Sequence, residues 1–114
     1  MLKNFYRAYM TSFAIDPPEV SDIKLDSIRK LYCTKQLTDS LAKAWANSDL
    51  DFDPFINAQD ADTSNLKSLQ ISKDDQAYSV CYMDYSAKQS VCIHLKLVEE
   101  NHSLKIASVW SGFR

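Results

Sequence analysis

The spacing of apolar residues changes period once along this chain, and that change limits the fold more than any other feature. In the first part, large apolar side chains recur at three- and four-residue steps, and from Leu66 onward they alternate. The first spacing gathers side chains on one stripe of a helix, the second on one face of a strand. Leu2, Phe5, Tyr6, Tyr9 and Phe13 form the first stripe. Asp16-Pro17-Pro18 ends that helix, because a residue before proline is pushed out of the α region. Leu25, Ile28, Leu31 and Tyr32 mark a second helix, with Ser21 or Asp22 as its cap. Thr34 is placed to cap a third, whose stripe is Leu37, Leu41, Ala44 and Trp45 and whose end is Asn47-Ser48-Asp49.

In the alternating part, turns are located by requiring apolar residues to face one another, since a one-residue slip turns a whole set outward. A turn at Asp74-Asp75 sets Ile71 opposite Tyr78 and Leu69 opposite Val80. A turn at Ser86-Ala87 sets Tyr82 opposite Val91, Val80 opposite Ile93 and Tyr78 opposite Leu95. A turn at Glu100-Asn101 sets Leu97 opposite Leu104 and Leu95 opposite Ile106. One apolar face then crosses four strands, and only the three helices have stripes with which to cover it. The expectation is a single α+β domain over residues 1–114, with three N-terminal helices packed on one face of a four-stranded antiparallel meander. A chain of 114 residues, 46% of them hydrophobic, is large enough to build that one core.

The opposite sheet face would carry Ser79, Cys81, Met83, Ser90, Cys92, His94 and Lys96, a mixture suited to partial exposure. In this register Cys81 lies opposite Cys92, where Cβ atoms approach to about 4.5–5.5 Å. A disulfide is possible there, and two reduced, half-buried cysteines are the alternative, the compartment deciding between them. Cys33, on the second helix, reads as a small core residue.

Several functions are excluded. The formal charge is −2 and no run of Lys or Arg forms a stripe, so the footprint needed for nucleic acid is missing. No stretch approaches the ~20 apolar residues of a membrane span, and MLKNFYRAYM is not a secretion signal. Met1 is then either a native cytoplasmic start or the point at which a signal has been removed. The single glycine, Gly112, rules out glycine-rich phosphate loops and leaves tight turns without their usual supplier of positive φ.

The least ordinary stretch runs from Asp49 to Asp60, between the third helix and the first strand. Its acids fall at positions 1, 3, 5 and 12 of a calcium-loop template. Position 6 should be glycine and is Pro54, whose fixed φ cannot make the sharp turn; position 12 should be Glu and is the shorter Asp60. No metal and no cofactor are expected. Phe52, Phe55 and Ile56 are too many apolar groups to leave in water on a small surface, so they are expected to close one end of the core. Asp53, Asn57, Gln59 and Asp60 are left to bond the segment's own backbone or to line a mouth between helices and sheet.

The run DFDPFINAQD, with a preceding LDSIRKLYCTKQL helix and a following meander, resembles the bacterial family named domain of unknown function 3828. The resemblance covers nearly the whole chain, and Asn57 to Asp60 is its most specific part. Near the last strand the family pattern has Trp-Lys-Ile, where this chain has Leu104-Lys105-Ile106. The resemblance implies a nuclear-transport-factor-2-like or cystatin-like cone and a periplasmic or secreted setting; it brings no activity.

Catalysis needs a base with an orienting partner, and neither His94, on the polar sheet face, nor His102, in a turn, has one in sequence. The chain therefore reads as a non-catalytic binding protein. The preferred partner is another protein, masked by a bacterial module of immunity or inhibitor type; the alternative is a small apolar ligand held in a cone-shaped pocket. The residues expected to bind are Asp51, Phe52, Asp53, Phe55, Asn57, Gln59 and Asp60, because aromatic anchors there stand beside directional polar groups.

Overall fold

The computed structural model describes residues 1–15, 17–50, 52–58, 63–74, 77–84 and 88–111. Three helices come first: α1 (Leu2–Ser12), α2 (Pro18–Tyr32) and α3 (Lys35–Ala46). A short 3₁₀ turn over Thr63–Ser68 leads into strands β1 (Gln70–Asp74), β2 (Ala77–Asp84), β3 (Gln89–Glu100) and β4 (Ser103–Ser111). The strands form one antiparallel sheet in the order β1-β2-β3-β4, so the expected α+β architecture is the observed one.

The helix ends follow local chemistry. α2 starts at Pro18 and not at the expected Ser21 or Asp22, because proline lacks an N–H that the first helical position would leave unpaired anyway. Ser21 is instead buried, and its hydroxyl donates to the Ser12 carbonyl at 2.7 Å, tying the start of α2 to the end of α1. About one turn earlier in α1, the Tyr9 hydroxyl accepts from Arg29 of the later part of α2, so α1 and α2 run antiparallel. Thr34 caps α3 as expected, its hydroxyl accepting from the Leu37 N–H at 3.2 Å. Leu31 departs from its expected place in the core stripe: it is 64% exposed, because the inward face of α2 is set by Leu25, Arg29 and Tyr32.

The core joins Phe5, Tyr6, Tyr9 and Met10 of α1 to Val80, Ile93, Leu95 and Ile106 of the sheet. The β2–β3 register is the expected one, with Tyr82 opposite Val91, Val80 opposite Ile93 and Cys81 opposite Cys92. Between β1 and β2 the pairing is displaced by two residues, so that Ile71 faces Val80 instead of Tyr78. The central residues of that turn and Ser86-Ala87 lie outside the described residues. Between β3 and β4 the expected Leu95–Ile106 pair is replaced by Leu97–Ile106, and Leu104 faces Glu99. Past Leu97 a bulge leaves Ala107 unpaired, so the alternation of β4 reverses and Val109 comes opposite Leu95. The reason is the turn: Asn101 and His102, at φ of 53° and 66°, are its two central residues, the left-handed pair that a tight hairpin requires.

The polar sheet face carries the Cys81–Cys92 disulfide. Beside it the Ser79 hydroxyl and His94 Nδ1 lie 3.0 Å apart, and the His94 ring stacks on Trp110 with centroids 5.9 Å apart. Cys33 is buried, and burial pushes its thiol up to about 12. The link that follows it docks on the β4 edge, where the Thr34 N–H donates to the Ile106 carbonyl at 3.0 Å. Among the described residues no helix is long and apolar enough to cross a membrane.

Two measurements test these local arguments. His102→Gly removes the side-chain penalty of a left-handed residue and is expected to raise stability by about 0.5–1 kcal/mol in urea denaturation; an unchanged or lower midpoint would remove the turn assignment. Replacing Cys81 and Cys92 together by serine opens a link between residues 11 apart and is expected to lower stability by about 2–3 kcal/mol. The same loss is expected on reducing the wild type, and none on reducing the double variant.

Candidate functional site

The segment after α3 turns into the protein at Asp53. Asp53 and Ala58 close a short loop, the Asp53 N–H donating to the Ala58 carbonyl at 2.8 Å and the Ala58 N–H returning at 3.4 Å. Between them Pro54, Phe55 and Ile56 are buried, and Asn57 takes a φ of 53°, a conformation that asparagine tolerates better than most residues. A loop driven this far into the core leaves backbone carbonyls that water cannot reach, and aromatic side chains supply the donors. The Tyr6 hydroxyl donates to the Phe55 carbonyl at 2.7 Å, the Tyr82 hydroxyl to the Ile56 carbonyl at 2.6 Å, and the Trp45 indole to the Phe52 carbonyl at 3.2 Å.

The Asp53 carboxylate is the hub of the loop. One oxygen accepts from the Phe55 N–H at 2.9 Å, and the other accepts from the Tyr9 hydroxyl at 2.5 Å. Tyr9 in turn accepts from Arg29 at 2.7 Å, and the same guanidinium nitrogen lies 3.8 Å from the carboxylate. Arg29 is fixed from its other side by the Trp45 ring, with its carbon 4.8 Å from the centroid. Burial raises the Asp53 pKa above its ordinary value, opposed by the Tyr9 bond, the Phe55 N–H and the Arg29 charge. Burial also raises Tyr9, with the Asp53 charge adding and Arg29 opposing, and pushes Tyr82 up to about 12. These hydroxyls remain protonated donors throughout the physiological range.

Outside this hub lies an open cleft of about 460 Å³. α2 gives it Asp22, Leu25 and Arg29, α3 gives Trp45, and the loop gives Leu50, Phe52 and Asp53, with Phe13 from the end of α1. The cleft is the meeting place of four segments of the chain. Its size falls within the range of ligand sites.

Of the residues expected to bind, Phe52 lines the cleft and Asp53 forms part of its floor. Phe55 does not reach the surface: it is fully buried, with its ring centroid 5.3 Å from that of Phe5 and 5.4 Å from that of Tyr9, which corrects its assignment as a binding anchor. Asn57 is half-buried and shapes the loop. Asp51, Gln59 and Asp60 lie outside the described residues. Asp53 occupies position 5 of the calcium template, yet both its oxygens already hold protein donors. Sequence reading missed Tyr9, Arg29 and Trp45 as parts of the site. The signal for Arg29 was present: it stands four residues after Leu25 and three before Tyr32, on the inward stripe, where a cation demands a buried acid.

The hub predicts a pH dependence that runs against the usual one for carboxylates. The folded state holds the Asp53 proton more tightly than the unfolded chain does, so this contribution is full below about pH 4 and is lost as pH rises through the raised folded value. The stability of wild type minus that of Asp53→Asn, measured by urea denaturation from about pH 3 to about pH 8, is expected to be greatest at the acid end and to fall to a plateau. A difference that grows with pH would show a depressed carboxylate and overturn the assignment.

No family model and no curated protein matches the chain. Among solved structures it is similar to a protein of unknown function from Bacteroides thetaiotaomicron VPI-5482, with 27% sequence identity and a TM-score of 0.82 over 95% of this chain and 84% of that one.

Proposed function

We propose that this chain is a non-catalytic binding domain that recognises a protein partner through the cleft between α2, α3 and the loop. The observation that carries the reading is the fixed guanidinium of Arg29 at the floor, beside the apolar side chains of Phe13, Leu50 and Phe52. An anchor side chain of the partner enters between those apolar walls, and the free N–H groups of Arg29 meet a carbonyl or carboxylate next to it. Asp53 takes no part in chemistry, because its oxygens are occupied by Tyr9 and the loop. The domain acts by covering its partner, in the manner of an immunity or inhibitor module, and the disulfide supports a periplasmic or secreted setting. Membership of domain of unknown function 3828 and its cone-shaped fold remain part of this proposal.

A second reading, a small apolar ligand, shifts to the same cleft, because the space between helices and sheet is filled by Phe5, Tyr6, Tyr9 and Phe55.

The test is affinity capture from a lysate of the source organism with wild type, with Asp22→Arg/Leu50→Arg, and with His94→Ala/Trp110→Ala. A protein retained by wild type and by the sheet-face variant, and lost by the cleft variant, is the expected result. Retention by all three would move the site away from the cleft. A small molecule seen by native mass spectrometry on wild type alone would establish the second reading in place of the first.

A further inference from the structure

A second groove lies on the other side of α2, between it and α1, and no part of the cleft reading depends on it. It has a volume of about 590 Å³. Its small residues, Ala8, Thr11 and Ser27, allow a close approach, and Ile15 and Leu31 bound its two ends. Arg7 stands on the α1 wall and Lys24 on the α2 wall; both are exposed, and among the described residues neither has a hydrogen-bond or ion-pair partner. α1 carries no acid to neutralise them, and the chain as a whole is negative. The apolar surface continues along α2, where Ile23 and Leu31 are 67% and 64% exposed.

We propose that this groove receives an amphipathic helix of a partner protein, with acidic residues on both flanks of its apolar stripe. Length supports a helix: the lining follows α1 from Asn4 to Ser12, a rise of about 12 Å, and extends past the helix end to Ile15, roughly three turns of a guest. Placement of the cations supports acids on both flanks, since Arg7 stands on the α1 wall towards the Leu31 end and Lys24 on the α2 wall towards the Ile15 end. An amphiphile with one anionic head would call for cations gathered at one end. A second copy docking face to face would bring its own Arg7 and Lys24 against these, like charge on like.

The probe is a stapled peptide of three helical turns with leucine at i, i+4 and i+7 and glutamate on both flanks; a second peptide has lysine in place of each glutamate. Binding is read by fluorescence anisotropy on wild type and on Arg7→Glu/Lys24→Glu, both exposed positions whose change leaves the core intact. Wild type is expected to hold the glutamate peptide at least about tenfold more tightly than the lysine peptide, and the variant to reverse that order. Asp22→Arg/Leu50→Arg, altered in the cleft, is expected to bind the glutamate peptide as wild type does. Equal binding of the two peptides, or a preference that the variant does not reverse, overturns the proposal. Displacement of the glutamate peptide by laurate overturns it in favour of an amphiphile, and a wild-type dimer in sedimentation that Arg7→Glu/Lys24→Glu abolishes overturns it in favour of self-association.

Discussion

The Tyr9–Asp53 hydrogen bond is the contact on which the rest of the helical layer depends. A carboxylate removed from water is costly unless each oxygen has a donor and a counter-charge is near. Here the Phe55 N–H and the Tyr9 hydroxyl serve the two oxygens, and Arg29 supplies the charge through Tyr9. Each of the three elements concerned needs the other two. Without Asp53, Arg29 would lie inside α2's apolar stripe with only Tyr9 and the face of Trp45 to meet it; without Arg29, the buried acid would lack its cation.

The first helix serves two demands with one set of residues. Its rings supply apolar bulk, Phe5 stacking on Tyr9 and both packing against Phe55, while the hydroxyls of Tyr6 and Tyr9 extend past the rings to the loop. Phenylalanine at these positions would keep the packing and abandon a carbonyl and a carboxylate. A tyrosine-rich stripe in a helix that must receive a polar loop thus has a physical reason, since it satisfies buried backbone without admitting water.

What the sequence made legible follows from how strongly each choice is fixed. Helices and strands were legible because the apolar periods differ, and the β2–β3 register because both strands alternate without interruption. Parity alone does not separate registers two residues apart, which is why Ile71 meets Val80 and not Tyr78. The β3–β4 pairing turns on Asn101 and His102 taking positive φ in a chain whose only glycine is elsewhere, and on Ala107 dropping out of the ladder, a compensation no alternation count reveals. The loop's burial was legible in Phe52, Phe55 and Ile56. The hub was not, because Tyr9, Arg29 and Asp53 become neighbours only after α1 and α2 have folded back on each other.

Fixing Arg29 inward has a consequence for the opposite side of the same helix. With Leu25, Arg29 and Tyr32 turned to the core, the geometry of a 3.6-residue turn sends Lys24, Ser27 and Leu31 outward, beside the polar face of α1. Residues Asp22 and Lys24, only two apart, therefore belong to different surfaces, the first at the rim of the cleft and the second on the wall of the groove. α2 thus separates two concavities, and the interior ion pair that holds it sets the orientation of both. A change at Asp53 or Tyr9 would reach the groove only by letting α2 rotate, whereas exchange of Lys24 or Arg7 touches no interior contact.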